Sequence, residues 1–308
     1  MNEKSPVTVT AGRISVRVTN PGKVLFPGDG ITKADLAGYY REAAGRILPQ
    51  VKGRPLVMER YPDGIGGERI VQKNVPAYFP DWVSRTEVAK EGGTVCHVLA
   101  DKPATLVYLA NQGCIEPHVF LSRTRALHCP DQLVFDLDPA ADSGFGDARR
   151  IALWLRELLE DELGLAAFVK TTGGKGLHVH VPLRADSDFG QAREFARTAA
   201  AVLAARHPDL ITTEQRRDKR GRRVYADIMR NAYAQTVIAP YAVRARPGAP
   251  IATPLSWDEV ADPALSPQRF TLRGASARPD AAGDPWAAMA RRRRDLGRAW
   301  QRLRPLGG

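Results

Sequence analysis

The sequence predicts an α+β fold organised around a β-α-β-β-α-β sheet, and three observations carry that prediction. The second half of the chain alternates strand-like and helix-like hydrophobic periods in that order. A glycine-rich turn, Thr172-Gly173-Gly174-Lys175-Gly176, separates two short strand-like runs, as in a hairpin. The apolar residues of three separate strands share one parity, which leaves Asp136, Asp138, Asp227 and His178 on a common face.

The elements follow in order. Ile31-Thr32-Lys33-Ala34-Asp35-Leu36 opens a helix with Thr32 as its N-cap, and Pro49 closes that stretch. Short strands are expected around Leu56-Val57-Met58 and Thr105-Leu106-Val107-Tyr108-Leu109, with a turn at Tyr61-Pro62-Asp63-Gly64. A strand over about 131–138 precedes a helix from Asp147 to Leu163, where Ile151, Leu155, Leu158 and Leu159 recur at helical spacing. Ala167–Lys170 and Leu177–Val181 form the hairpin, Phe189–Arg206 the second helix, and Val224–Ile228 the last strand. In this topology the strands lie 4-1-3-2. Val179 and Val181 then face the helices, with His178 and His180 on the open face; Val224, Ala226 and Ile228 likewise leave Asp227 open.

Two carboxylates at the end of Leu133-Val134-Phe135-Asp136-Leu137-Asp138-Pro139 repel one another unless a cation stands between them. A divalent metal bound through oxygen is one solution; a strand end running into an Asp-Pro turn is the other. Convergence with Asp227 favours a two-metal site. The adjacent glycine turn allows close backbone approach to phosphates, and Lys175 adds a point charge. It is not a Walker A loop, because it lies between strands and lacks Gly-Lys-Ser/Thr. The basic run Arg216–Arg223 leads into the Asp227 strand, where a solvated loop and a nucleic-acid contact both fit. Arg291–Arg294, near Trp286 and Trp300, reads mainly as a charged face of a C-terminal helix.

The 308 residues are 44% hydrophobic and 26% charged, and the net charge of +11 points to a polyanionic partner. No run is apolar enough to span a membrane, and Met1–Thr10 lacks the core of a signal peptide, so a cytoplasmic, nucleoid-associated protein is expected. Cys96, Cys114 and Cys129 show no CxxC spacing, which argues against a disulfide framework. A zinc tetrad of Cys96, His97, Cys114 and His118 has poor spacing, and buried thiols are the expectation.

Several stretches together resemble one family nearly end to end: the polymerase domain of bacterial ligase D, within the archaeo-eukaryotic primase superfamily. They are Asn20-Pro-Gly-Lys23-Val-Leu-Phe-Pro27 with Lys33, Tyr61-Pro-Asp-Gly64, Glu116-Pro-His118, Asp136-Leu-Asp138-Pro139 and Thr172-Gly-Gly-Lys-Gly-Leu-His178. Asp227-Ile-Met-Arg-Asn231, Gln235-Thr-Val-Ile-Ala-Pro-Tyr241, Arg244 and Pro247-Gly248-Ala249 complete the set. The resemblance implies a primase-polymerase fold with an RRM/ferredoxin-like catalytic sheet packed against an N-terminal α/β module. It implies one catalytic domain over 1–308: a module at about 12–125, a palm at about 130–245 and an extension at about 246–308.

The resemblance also assigns roles. Asp136, Asp138 and Asp227 are similar to the ligands of two catalytic Mn²⁺ or Mg²⁺ ions. Thr172, Lys175, His178 and Arg244 resemble triphosphate contacts of an incoming NTP or dNTP, and His118 resembles a contact to its sugar. Asn20, Lys23 and Lys33 resemble a pocket for a 5′-phosphate, and Arg220 resembles a DNA contact. The implied function is addition of nucleotides to primer 3′-OH ends at gaps and double-strand breaks in non-homologous end joining. The implied partners are DNA with gaps, overhangs or 5′-phosphorylated ends, with Ku and a separate ligase as candidates and no membrane. Ile70 and Val71 stand where the family often has two aromatics, and Phe120 where it commonly has Trp. No ligase Lys-x-Asp-Gly motif is present, so a stand-alone polymerase or an excised domain is expected. The alternatives are a replicative primase starting chains de novo and a non-catalytic DNA-end-bridging factor.

Overall fold

The computed structural model describes residues 5–140, 143–274 and 283–307. Residues 275–282 and 308 of the expected extension, and 1–4 of the N-terminal stretch, lie outside the described residues. The chain divides into two compact units. The first comprises Met1–Arg125, Thr236–Ala252 and Phe270–Arg278; the second comprises Ala126–Gln235, Thr253–Arg269 and Pro279–Gly308.

The second unit is built on a six-stranded sheet in the order Ile211–Thr212, Val224–Asp227, Gln132–Asp138, Leu177–Pro182, Phe168–Thr171, Pro254–Leu255. Its four inner strands have the expected 4-1-3-2 order. Leu133, Phe135, Leu137, Val179 and Val181 are fully buried, and they form the apolar face of the sheet. Helices Phe145–Glu157 and Phe189–Arg206 pack on the sheet through Ile151, Leu155, Ala192, Phe195, Ala196 and Ala199. The longer helix starts at Asp188, whose carboxylate accepts from the Gln191 amide while Gln191 reaches back to the Asp188 amide. Such a box contributes about 1 kcal/mol. The shorter helix continues as a π-helical turn over Leu158–Glu162, which accounts for the expected run to Leu163.

The opposite face of this sheet differs from expectation. His178 and His180 are 5% and 1% exposed rather than open. The C-terminal part of the unit lays Trp286 against His180, with ring centroids 4.9 Å apart, and Trp286 Nε1 donates to the Val169 carbonyl at 3.0 Å. The end of the face that carries Asp136, Asp138 and Asp227 stays accessible, and Phe168, opposite His180, is half-buried. Arg291–Arg294 do not form a helix face either. Arg291 ends a 3₁₀ turn, Met289–Arg291, and Arg293 pairs with buried Asp131 at 3.2 Å.

The first unit holds a sheet ordered Thr236–Ile238, Cys114–Phe120, Pro55–Arg60, Gly93–Leu99, Arg85–Lys90, with Ile70–Gln72 also paired to Pro55–Arg60. Helix Lys33–Glu42 begins with the expected Thr32 cap, completed by Asp35. Pro49 does not end the helical stretch but stands inside a second helix, Ala44–Val51. Thr105–Leu109 is not a strand. It lies in helix Pro103–Asn111, with Pro103 in its first turn and residues 104–111 all buried. A helix buried on every side has no amphipathic period to separate it from a strand, and proline suits a first helical turn.

Candidate active-site clusters

In the second unit, the Gln132–Asp138 strand is antiparallel to Val224–Asp227 on one side and to Leu177–Pro182 on the other. Asp136 stands opposite both Asp227 and His178, and Asp138 stands opposite Tyr225. Direct cross-strand neighbours lie about 4.5–5.5 Å apart at Cα, so three carboxylates and an imidazole share one small patch. His178 Nε2 is 3.4 Å from Asp136 Oδ1. Asp227 Oδ1 accepts from the Met229 amide at 2.7 Å, which fixes its rotamer. Burial, and then the charges of Asp136 and Asp227, raise the Asp138 carboxyl above its ordinary range, against Arg220 and Lys175. This crowding of anions is what a divalent cation relieves, and the oxygen donors of three carboxylates suit Mn²⁺ or Mg²⁺.

The glycine turn is held by Thr172. Its hydroxyl donates to the Gly176 carbonyl at 3.1 Å and accepts from the Gly174 amide at 3.2 Å. Gly176 is required for packing, since a Cβ there would overlap the Leu137 carbonyl beside the aspartates. Lys175 is exposed. The structure therefore brings Thr172, Lys175 and His178 to the aspartates, with the Thr172 hydroxyl shaping the turn.

The basic run is folded rather than loose. Arg220 donates to the carbonyls of Glu214 and Gln215 at 2.9 and 2.7 Å and lies 3.7 Å over the Tyr225 ring. Tyr225 was missed in the sequence, although it shares parity with Asp227. Asn231 ends the motif Asp227-Ile-Met-Arg-Asn231. Its side chain accepts from the Val134 amide at 2.8 Å and donates to the Val134 carbonyl at 2.7 Å, completing the ladder where the Val224–Asp227 strand stops.

His118 and Arg244 lie in the first unit. Arg244 Nε donates to Glu116 Oε1 at 2.8 Å, and the Ala245 amide donates to the same oxygen at 2.7 Å. Burial would raise the Glu116 carboxyl, but His118 and Arg244 together bring it down to about 2. Glu59, directly opposite Glu116 in the ladder, completes a group whose ligand atoms lie within 4.8 Å of one another with His118. His118 Nε2 is 3.6 Å from Glu59 and 3.7 Å from Glu116. With Arg244 on Glu116 and Arg69 on Glu59 at 3.3 Å, the trio is an ion-pair network. Glu59 could not be found from sequence, because its place depends on the pairing of two strands more than fifty residues apart.

The expected phosphate pocket is also in the first unit. Asn20 adopts φ 48°, and its carbonyl accepts from the Lys23 amide, turning the chain so that the Lys23 carbonyl accepts from the Lys33 amide at 2.9 Å. Burial, followed by the charges of Lys23 and Arg60, pulls the Lys33 ammonium below its ordinary range. Lys23 pairs with Asp63 at 2.7 Å. Three cations near one another with one exposed carboxylate make an environment that an anion stabilises. Among the described residues, Cys96, His97, Cys114 and His118 are not gathered into a ligand group; His97 Nδ1 bonds the Leu56 carbonyl, and burial raises the Cys114 thiol.

Residues 32–286 match the family model described as LigD, primase-polymerase domain. The chain is 35% identical over 260 residues to the multifunctional non-homologous end joining protein LigD of Mycolicibacterium smegmatis, covering 83% of this chain and 34% of that protein. It is 32% identical over 295 residues to its counterpart in Pseudomonas aeruginosa, covering 95% and 35%. The chain thus spans about a third of the length of these relatives. Among solved structures, it is similar to the polymerase domain from Mycobacterium tuberculosis ligase D in complex with DNA. That match has a TM-score of 0.85 and 32% identity, covering 91% of this chain and 99% of the other. The motifs that carried the resemblance, the fold and these matches agree, and the chain belongs to the LigD primase-polymerase domain family.

Proposed function

We propose that the protein is a DNA repair polymerase of end joining, adding NTPs or dNTPs to primer 3′-OH ends at gaps, overhangs and 5′-phosphorylated breaks. The observation that carries the reading is the registered Asp136–Asp227 pair, with Asp138 two residues on and the Thr172–Gly176 turn beside it. Asp136, Asp138 and Asp227 would hold two Mn²⁺ or Mg²⁺ ions. When bound, these supply Lewis-acid activation of an attacking hydroxyl and neutralisation of the leaving pyrophosphate. The residues of the chain do the rest. Lys175 and the turn amides hold the triphosphate, and His178, fixed between Asp136 and its buried surroundings, contacts a phosphate oxygen. Arg244 adds charge to the triphosphate, and His118 orients the sugar. Asn20, Lys23 and Lys33 hold the 5′-phosphate of the downstream strand, and Arg220 contacts DNA.

A DNA-end-bridging factor without catalysis has no use for three carboxylates gathered on one patch, since they repel a polyanion unless cations fill them. A replicative primase has no need of the Lys23–Lys33 pocket. The relatives are named multifunctional end-joining proteins. In this reading a ligase activity closes the nick left by synthesis, and Ku delivers the ends.

The test is Asp138→Ala, assayed for primer extension and for DNA binding. Loss of synthesis by more than a hundredfold with binding intact supports the reading. Retained synthesis removes the aspartates from the chemistry.

A further inference from the structure

An aromatic ring outside the clusters above is placed for nucleic acid. Tyr78 is 60% exposed, the most exposed of the large hydrophobic side chains among the described residues. A single exposed aromatic is ordinary, but this one is mounted firmly. Its turn is tied down by the Phe79 amide on the Pro76 carbonyl at 3.1 Å and the Val75 amide on the Cys96 carbonyl at 2.8 Å. Asn74 Oδ1 accepts from the Cys96 amide at 2.9 Å. Beneath the ring, Phe79 is 2% exposed and lies 5.4 Å from Tyr78, centroid to centroid. Phe79 in turn packs edge-on to Tyr108 at 5.0 Å, and Trp82 packs on Tyr108 at 5.7 Å. Tyr78 is the outward end of a run of edge-packed and tilted rings, so holding it in place costs little further entropy on binding.

Its neighbour is a cation. Arg60 is fixed by Nε on the Gln112 carbonyl at 2.7 Å and Nη1 on Gln72 Oε1 at 2.5 Å, and Nη1 also lies 3.5 Å from the Tyr78 hydroxyl. Arg60 acts electrostatically on Lys33, as does Lys23. Exposed Ile70 stands opposite Arg60 in the ladder. A rigid exposed ring beside clustered cations is the combination that single-stranded nucleic acid requires: charge for the backbone and a face for the base.

We propose that Tyr78 is the stacking platform for one unpaired base of DNA whose backbone is drawn to the Lys23, Lys33 and Arg60 cluster. Ile70 and Val71 offer no π-face, whereas Tyr78 presents one to solvent. The assignment rests on the DNA-directed function proposed above.

The experiment uses a duplex with a 5′-phosphate at its recessed end and 2-aminopurine as the first unpaired base of the 3′ overhang, together with a blunt duplex of the same sequence. Wild-type protein, Tyr78→Ala and Tyr78→Phe are titrated into each. The expected result is quenching of the 2-aminopurine by wild type and Tyr78→Phe. Tyr78→Ala should lose the quenching and bind the overhang substrate about tenfold more weakly, within the roughly 5- to 150-fold that one base–aromatic stack supplies, with blunt-duplex affinity unchanged. Equal quenching and affinity for Tyr78→Ala and wild type overturns the stacking role, as does an equal loss on both substrates. Failure of wild-type protein to bind either DNA overturns the functional reading itself.

Discussion

Arg244→Met breaks a buried ion pair of the first unit. Glu116 is 4% exposed, and one of its oxygens accepts from both Arg244 and the Ala245 amide. Its carboxyl lies at about 2 against an ordinary 4.5. At about 1.4 kcal/mol per pH unit, the ionised form stabilises the fold by about 3 kcal/mol at neutral pH. Methionine fills much of the arginine's volume but leaves a buried carboxylate with one amide and His118. The expected loss is about 3 kcal/mol, at the lower end of what breaking a buried pair costs. The pH dependence follows from the sign of the shift. A depressed carboxyl gives stability that is present above about 4.5 and is lost as pH falls through about 2. In the variant, burial is opposed by His118 and the Ala245 amide without the arginine, so the carboxyl takes up its proton at higher pH than in the wild type and the deficit shrinks on acidification. Urea unfolding at pH 7 and pH 3, with hydrogen exchange read in the Cys114–Phe120 strand, measures both. Glu116→Gln with Arg244→Met should recover more than half of the loss. A deficit under about 0.5 kcal/mol at pH 7, or one that does not change with pH, refutes the reasoning.

Two further predictions concern the second unit. Gly176→Ala sets a Cβ against the Leu137 carbonyl, so the turn must shift; a cost of about 1–3 kcal/mol and a weakened KM for nucleotide with DNA affinity retained are expected from thermal melts and steady-state kinetics. Asn231→Leu leaves the Val134 amide and carbonyl unpaired in the sheet interior; a loss of about 2–4 kcal/mol should appear by denaturant titration, with faster amide exchange at Val134.

Period and capping made much of the second unit legible from sequence. Phe189–Arg206 was recognisable because its ends and apolar stripe agree, and the aspartate face because strands alternate strictly and Leu133, Phe135 and Leu137 commit one side to the core. Other features depend on long-range pairing, which local pattern does not encode. His178 and His180 have the parity of an open face, yet both are buried, and Trp286, more than a hundred residues later, packs on His180. Pro103–Asn111 lost its helical signature by being buried all round. Glu59 became part of the His118 group only through its register with Glu116. The sequence motif brings Arg244 forward as a candidate phosphate contact, but its ion pair with Glu116 has no local signal, since the two are 128 residues apart.

Primer extension across a short gap with Mn²⁺ tests the central claim most directly, using downstream strands that end in 5′-phosphate or 5′-hydroxyl and wild-type or Lys23→Ala protein. The account predicts that the wild type fills the gap faster when the phosphate is present and that Lys23→Ala removes that advantage while retaining synthesis on the hydroxyl end. Tight DNA binding with no extension on either end would contradict it.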